Sequence, residues 1–352
     1  MKKISYIFLV SLLFSACSED STLDIAGMFS PQGETIKARF AQSMLYNESR
    51  SEIHLDMAQD DYAIYVCTDS HITRTSHRNL AYFVNQYENA SSPKLALHLG
   101  DLIDAQKNFP CADSVLRLGE RAIDDTLFIT PGNHDIYFKQ WPIYRDYFKT
   151  SVYWFDTNNG SKKLDLFICL DSAEGDLGVD QTNWLKTLLE EKSKEGYRHI
   201  IVFTHTHLWK LDASQGHTSN YALEATYELT SLLSKYGVEF VWSGHQHARQ
   251  SVIFKGVQYL VLNATKDSEK GQSYMIADMS ESIVYHYSDY PQQPELITRI
   301  VLESISNQSR AVYESFSSLH RGYPRLYTWF CHGFRVPLKA FFPILTSGGN
   351  RG

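Results

Sequence analysis

Short apolar runs that each end in a polar cluster constrain the fold of this chain more than any other feature of its sequence. Each run is too short for an independent helix and is rich in β-branched or aromatic residues, so each predicts a buried strand followed by a turn. With their polar ends, the runs read YAIYVCTDSH, KLALHLGDLID, TLFITPGNHD, LDLFICLDS, HIIVFTHTH and EFVWSGHQH.

Helical patterns lie between several of these runs. The segment YELTSLLSKYG ends at Gly237, as a helix commonly does. The segment DQTNWLKTLLEEKSKEGY places its apolar residues at helical spacing, at Trp184, Leu185, Leu188 and Leu189. Strands that alternate with helices build an α/β domain, and ligands of such sheets bind beyond the carboxyl ends of the strands. The later stretch QSYMIADMSESIVYHYS predicts a closing pair of strands.

The N-terminal residues predict export from the cell. Two lysines precede the apolar run ISYIFLVSLLFSA, which is typical of a signal peptide, and Cys17 follows the small residues Ser15 and Ala16. This arrangement resembles the lipobox of bacterial lipoproteins. It implies a lipid on Cys17 that holds the protein to a membrane of the bacterial cell envelope, on the periplasmic side or at the cell surface. An ordinary secretory signal is the alternative.

The sequence predicts four segments. They are a signal peptide at 1–16, a tether with a short helix at 17–60, the α/β domain at 61–289 and a C-terminal extension at 290–352. The helix corresponds to GETIKARFAQSMLYNESR, and PQQPE marks the last boundary. Residues 310–352 are basic and aromatic, and we expect them either to bind an anionic membrane surface or to pack against the domain.

Net charge bears on the possible partners. The chain carries a formal charge of −7, and removal of residues 1–16 takes away two lysines and no acid, which leaves about −9. We therefore expect no broad nucleic-acid-binding surface. The sequence indicates no particular protein partner.

Five of the predicted strands end in residues that can ligate metals. A single histidine after a strand is usually just hydrogen-bonded, but clusters on five strand ends are explained together by one site for two divalent cations. Mixed imidazole and carboxylate ligation suits Mn, Fe or Zn. The clusters are Asp69 and His71, Asp101 and Asp104, Asn133 to Asp135, His205 and His207, and His245 and His247.

The order of these motifs resembles that of the calcineurin-like metallophosphoesterase family. The motifs are D-x-H, G-D-x-x-D, G-N-H-D, a strand-end histidine and G-H-x-H, which occur in this order from Asp69 to His247. The resemblance implies a β-sandwich of two mixed sheets flanked by helices, with the site at the C-terminal ends of the strands. It also implies two divalent or mixed-valence metal ions and the hydrolysis of a phosphoester by a hydroxide that bridges them.

The resemblance also implies a role for each site residue. His134 would donate a proton to the leaving oxygen, and Asp104 would hydrogen-bond His134 and orient its ring. Relatives commonly have proline at the position of His207, so either His205 or His207 is the ligand, and we favour His205 because it comes first after the strand. Asp135 either shapes the turn or supports the site. The implied metal ligands are Asp69, His71 and His247 for the first metal, Asp101 as the bridge, and Asn133, His205 and His245 for the second.

Particular positions distinguish branches of this family. Protein Ser/Thr phosphatases have arginine where this chain has Ala105, and purple acid phosphatases have a tyrosine ligand where it has Asp104. Periplasmic nucleotidases carry a large C-terminal substrate domain, whereas only about sixty residues follow PQQPE. The segment LDSAEGDLGVDQTNWLKTLL is similar to the compact phosphodiesterase-like branch, which predicts a phosphodiester substrate. The alternatives are a phosphomonoesterase with the same site and a non-catalytic, metal-containing surface protein.

Overall fold

The strands predicted from the apolar runs are present in the computed structural model of this chain, which describes residues 34–91, 93–116, 127–137, 139–160, 162–212, 216–218, 221–269 and 271–291. All of these residues belong to one compact unit. The predicted signal peptide, Cys17 and the basic, aromatic tail lie outside the described residues. Within the described ranges, no helix has the length and apolar character needed to cross a bilayer.

The described elements follow one another as alternating strands and helices. The strands are β1 (Ile53–Asp56), β2 (Tyr62–Cys67), β3 (Lys94–His98), β4 (Leu127–Ile129), β5 (Tyr153–Asn159), β6 (Lys162–Cys169), β7 (His199–Phe203), β8 (Lys210–Asp212), β9 (Gly216–Thr218), β10 (Phe240–Ser243), β11 (Gln250–Phe254), β12 (Val257–Val261), β13 (Ser273–Met279) and β14 (Val284–Asp289). The helices are α1 (Ile36–Glu48), α2 (Arg78–Asn89), α3 (Phe109–Leu116), α4 (Asn133–Ile136), α5 (Trp141–Phe148), α6 (Gly178–Lys192) and α7 (Leu223–Lys235).

Two mixed sheets form the body of the domain. The larger sheet has the order β1-β5-β6-β7-β10-β12-β11, with antiparallel pairs at β5–β6 and β11–β12 and parallel pairs elsewhere. The smaller sheet has the order β14-β13-β2-β3-β4, in which β2, β3 and β4 are parallel and β13 is antiparallel to its neighbours. This confirms the predicted α/β fold of two mixed sheets, and the predicted closing strands are β13 and β14.

The inner faces of the two sheets pack against each other and form the main core. Phe128 of the smaller sheet stacks on Phe155 of the larger one with ring centroids 3.8 Å apart, and Phe155 stacks on Phe167 at 4.8 Å. The outer face of the smaller sheet is covered mainly by α2, α3 and α5, and that of the larger sheet by α6 and α7. Strands covered on both faces need apolar side chains at successive positions, which explains the continuous apolar runs.

Part of the predicted tether belongs to the domain. The predicted short helix is α1, and its Arg39 is buried, with ion pairs to Asp171 at 2.9 Å and Glu174 at 2.7 Å. The strand β1 was not predicted, because IHLD lies in a polar stretch, but it pairs in parallel with β5 at an edge of the larger sheet. The buried ion pair between Arg39 and Asp171 holds α1 against the domain, because either charge alone would be poorly solvated.

Candidate metal centre

The polar clusters after β2, β3, β4, β7 and β10 meet at one edge of the two sheets. Main-chain pairing continues past the strand ends, since Asp69 donates to the oxygen of Gly100 at 2.9 Å and Gly244 donates to the oxygen of His205 at 2.9 Å. The sheets are also joined directly, because the main-chain nitrogen of His245 donates to Asp69 Oδ2 at 2.9 Å. Loops from both sheets are therefore fixed against one another.

The first pocket consists of Asp69, His71 and His247. The Nε2 atoms of the two imidazoles lie 3.2 Å apart, and Asp69 Oδ1 is 3.2 Å from Nε2 of His247 and 4.0 Å from Nε2 of His71. Asp69 Oδ1 is buried and accepts no hydrogen bond from any described residue. A buried carboxylate oxygen that faces two imidazole nitrogens fits a divalent cation, which would supply the missing positive partner.

The second pocket consists of Asp101, Asn133, His205 and His245. Nε2 of His205 lies 3.2 Å from Asn133 Oδ1, 3.1 Å from Nδ1 of His245 and 3.4 Å from Asp101 Oδ2. Nδ1 of His205 donates to the main-chain oxygen of Leu99 at 2.8 Å, so in the neutral imidazole the lone pair is on Nε2 and faces the other donors. This set of oxygen and nitrogen donors also fits a divalent cation.

Asp101 lies between the two pockets. Its Oδ2 is 3.6 Å from Nε2 of His71 and 3.4 Å from Nε2 of His205, while its Oδ1 accepts a hydrogen bond from the main-chain nitrogen of His134 at 2.8 Å. Around Asp101, the ligand atoms of His71 and His134 and those of His205 and His245 form two groups, each within 4.8 Å. A carboxylate in this position can be shared by two cations.

The two histidines after β7 occupy different places. His205 is in the second pocket, whereas His207 belongs to none of the groups of candidate ligands found among the described residues. His207 is buried, and its ring is stacked near that of His245 with centroids 6.1 Å apart.

Asp104 was predicted to hydrogen-bond His134, and in the structure its main-chain oxygen faces His134 while its carboxylate faces His71. Nδ1 of His134 faces the main-chain oxygen of Asp104 at 3.3 Å, and the carboxylate of Asp104 faces Nδ1 of His71 at 3.7 Å. The main-chain nitrogen of Asp104 donates to Ile72, next to His71, which holds this loop beside His71. The ring of His134 stands edge-on to that of His71, with centroids 4.6 Å apart.

Asp135 connects the loops that carry Asp101 and Asn133. Its buried carboxylate accepts hydrogen bonds from the main-chain nitrogens of Gly132 at 2.8 Å, Ile103 at 3.2 Å and Leu102 at 3.3 Å. Burial and the negative charge of Asp101 raise the pKa of Asp135 to about 7. The side chain thus fixes two loops whose other residues line both pockets.

A carboxylate that the sequence motifs did not identify lies beside the first pocket. Glu269 Oε1 is 3.4 Å from Nδ1 of His247, on the side of the ring away from Asp69. It belongs to none of the five motifs, and the only local signal was an acidic residue in the polar loop after β12.

The two pockets shift the pKa values of their members. Burial raises the pKa of Asp69, but the close contact with His247 and the charge of His205 outweigh burial and lower it to about 2. Burial lowers the pKa of His205, but the charge of Asp101 and its hydrogen bond raise it to about 9. Burial and the positive charge of His205 lower the pKa of His245 to about 4. A cation binds the neutral form of an imidazole, so metal binding in this pocket would be coupled to the release of protons.

Backbone conformation at the site is unusual. Left-handed φ angles are uncommon for residues other than glycine and mark strain. They occur at Asp69 (51°), His71 (43°), Asp101 (53°), His245 (68°) and His247 (56°).

Two glycines allow the loops to approach each other. A methyl group at Gly132 would overlap the carboxylate and main-chain nitrogen of Asp101, and one at Gly244 would overlap Thr68 and the carboxylate of Asp69. Each pocket thus needs a residue without a Cβ atom beside its carboxylate.

Comparison with known families identifies the domain. The model of the family described as calcineurin-like phosphoesterase matches residues 62–249, which is more than half of the 352 residues. The chain belongs to this family, which uses dinuclear metal centres. The curated proteins include no match to this chain.

Solved structures are similar to part of this chain. The purple acid phosphatase PPD1 from yellow lupin (Lupinus luteus) seeds is similar, with a TM-score of 0.52 and 14% identity over 66% of this chain and 52% of that chain. A dimetal phosphatase from Danio rerio has a TM-score of 0.49 and 14% identity over 64% of this chain and 95% of that one. The match spans about half the length of the lupin protein.

Proposed function

We propose that this calcineurin-like phosphoesterase is a metal-dependent hydrolase that cleaves phosphodiesters. The observation that carries the proposal is the pair of adjacent pockets, in which ligand atoms of Asp69, His71 and His247 and of Asp101, His205 and His245 each lie within 4.8 Å of one another. Two neighbouring sets of imidazole and carboxylate donors with one carboxylate between them suit two divalent or mixed-valence ions of Mn, Fe or Zn.

The protein groups divide the work between binding and proton transfer. When bound, the two ions would activate water as the nucleophile and take up negative charge on the phosphoryl oxygens. The first pocket would hold one ion, and the second pocket, with the Asn133 side-chain oxygen, the other. Asp101, which lies between the pockets, would help to hold both ions.

His134 would act as the proton donor to the leaving oxygen. Its Nδ1 faces the main-chain oxygen of Asp104, which only accepts hydrogen bonds, so Nδ1 carries a proton. Nε2 is then the nitrogen that exchanges a proton with the substrate. General acids of this kind contribute roughly 10²- to 10⁴-fold to rate.

The proposed preference for diesters rests on the sequence. Ala105 and Asp104 stand where two phosphatase branches carry arginine and tyrosine, and LDSAEGDLGVDQTNWLKTLL is similar to the phosphodiesterase-like branch. An exported enzyme would meet extracellular phosphoesters, so the substrate classes that we propose are nucleic-acid fragments, phospholipid headgroups and phosphorylated glycans.

The test compares a diester with a monoester. The protein is stripped of metal, reloaded with Mn²⁺ or Zn²⁺ and assayed with bis-p-nitrophenyl phosphate and with p-nitrophenyl phosphate. We expect metal-dependent cleavage that is faster for the diester. Faster monoester cleavage would identify a phosphatase instead, and two bound ions without cleavage of either compound would favour a non-catalytic metal-containing protein.

We also propose that the protein is anchored to the bacterial cell envelope through Cys17. The support is the sequence, in which small residues and an apolar run precede this cysteine. In cells fed an alkyne-tagged fatty acid, we expect the protein to carry the label and the Cys17→Ala variant to lack it. An unlabelled wild-type protein would contradict the lipid anchor.

A further inference from the structure

We propose that Glu269 is a positioning residue for His247, which rests on the proposed metal-dependent function. The carboxylate would keep the His247 ring in the orientation and tautomer that present Nε2 to the ion in the first pocket. Glu269 would act through His247 and not on the substrate.

The contacts of the His247 ring support this assignment. Its Nε2 lies 3.2 Å from Asp69 Oδ1 and 3.2 Å from Nε2 of His71, while its Nδ1 lies 3.4 Å from Glu269 Oε1. The two ring nitrogens therefore face different partners: one faces the pocket and the other faces a carboxylate. A metal-binding imidazole commonly gives the N–H of its second nitrogen to such a carboxylate.

The tautomer follows from these partners. A carboxylate accepts but does not donate, so Glu269 favours the proton on Nδ1 and leaves the lone pair on Nε2. The lone pair then points toward Asp69 and His71, where a cation needs it. The negative charge also increases the basicity of the imidazole, which strengthens its bond to a metal.

The loop that carries Glu269 is fixed against the first pocket. Gln272 Nε2 donates to the main-chain oxygens of Lys266, Asp267 and Glu269, which closes the loop on itself. The loop is joined to the strand end of β2, because the main-chain nitrogen of Lys266 donates to the oxygen of Asp69 at 3.0 Å. Glu269 and Asp69 therefore keep a fixed spacing, with His247 between them.

The exposure of both side chains limits how much metal affinity should be lost when the Glu269 carboxylate is removed. The His247 side chain is 26% exposed and that of Glu269 38% exposed, so water partly screens their interaction. Removal of such a supporting carboxylate typically lowers metal affinity by about 10- to 100-fold, and we expect the lower end here.

The second pocket provides an internal comparison. Its His205 is held by the main-chain oxygen of Leu99 at 2.8 Å, a contact that substitution of Glu269 does not touch. Loss of the Glu269 carboxylate should therefore lower the affinity of the first pocket for its ion and leave that of the second pocket unchanged.

Glu239 offers a matched control. It forms the same kind of contact, with Oε2 at 3.0 Å from Nδ1 of His199, and its side chain is 46% exposed. His199 begins β7 and Glu239 precedes β10, so this pair lies at the opposite ends of those strands from the two pockets. Glu239→Gln removes a carboxylate from an imidazole without touching either pocket.

The experiment titrates Co²⁺ and Zn²⁺ into the metal-free full chain and measures both dissociation constants by competition with a chromophoric chelator. For Glu269→Gln we expect one constant to rise about 10-fold and the other to stay unchanged, with partial recovery in Glu269→Asp. Glu239→Gln should match the wild type. The melting temperature of the metal-free Glu269→Gln protein should also be unchanged, because a positioning role does not require Glu269 for folding.

Unchanged metal constants in Glu269→Gln would overturn the proposal, and so would equal weakening of both ions or a lower melting temperature of the metal-free variant. These results differ from failure of the proposed function. If the wild type binds two ions but hydrolyses neither phosphoester, the function fails, while selective weakening in Glu269→Gln still supports the role of Glu269. If the wild type binds no ion, both proposals fail.

Discussion

The two pockets hold similar donors but orient them by different means. In the first pocket, side-chain carboxylates of Asp104 and Glu269 face Nδ1 of His71 and His247. In the second pocket, His205 is fully buried and donates Nδ1 to a main-chain oxygen. Side-chain supports can be changed by substitution, whereas a main-chain support persists in every variant that folds. Substitution of these supports should therefore change the metal affinity of the first pocket and leave that of the second pocket unchanged.

Replacement of Asp101, the carboxylate between the two pockets, should reduce activity and metal binding more than any other change. It should affect both pockets, unlike a change to a residue of one pocket. For Asp101→Asn we expect at least roughly a 10³-fold loss of phosphoester hydrolysis, since stabilisation of several kcal/mol is lost. Metal content should fall from two ions to one or none by elemental analysis. The control Asp60→Asn changes a carboxylate remote from the site and should retain full hydrolysis and two bound ions. Full activity with two ions in Asp101→Asn would contradict the position of Asp101 between the ions.

Loss of the proton donor should separate chemistry from metal binding in either pocket. For His134→Ala we expect a decrease of about 10²- to 10⁴-fold in kcat, with both metal dissociation constants unchanged. The exposed His286 on β14 provides the control, since His286→Ala should leave kcat and metal binding as in the wild type. If metal binding falls along with kcat, His134 contributes to a pocket.

Added methyl groups at the two close-approach glycines should sharpen the comparison pocket by pocket. Gly244→Ala would crowd Asp69 and Gly132→Ala would crowd Asp101. We expect Gly244→Ala to lower the affinity for one ion and Gly132→Ala to lower the affinity for both ions. Each variant should also lower the free energy of unfolding by about 1–3 kcal/mol through overpacking. Metal titration and urea unfolding measure the two effects, and identical metal constants in the two variants would contradict the separate pockets.

Weakening of the Asp135 hydrogen bonds, which join the loops of Asp101 and Asn133, should reduce kcat the least. Asp135→Asn keeps the shape of the side chain, but the amide nitrogen replaces an acceptor for main-chain N–H groups, which lowers stability by about 1–3 kcal/mol. We expect a decrease in kcat at full metal saturation that is smaller than that of His134→Ala. Urea unfolding and steady-state kinetics provide the measurements, and a wild-type kcat would show that the link does not affect the reaction.

The sequence predicted the central strands because burial on both faces produces continuous apolar runs. The edge strand β1 alternates half-buried and exposed residues, and the polar end of β5 resembles a turn, so both are identified only through pairing with neighbours. The clusters at the strand ends were found for a related reason, since each follows a recognisable run.

The supports behind the imidazoles could not be predicted in the same way. Glu269 resembles any solvated acid in a polar loop, and only the folding of that loop around Gln272 brings it to His247. The direction of the Asp104 side chain likewise depends on the pairing of its main chain with Ile72. Such contacts join residues far apart in sequence, whereas motifs record only local spacing.

The left-handed backbone at five of the predicted ligands has a consequence for evolution and engineering of this protein. Glycine adopts this conformation without strain, so selection for heat resistance alone would favour glycine at His247, whose side chain is 26% exposed and whose loss removes a ligand of the first pocket. The most heat-resistant descendants would then be the ones that had lost the site. Any thermostability screen on this scaffold must therefore select for turnover in the same round.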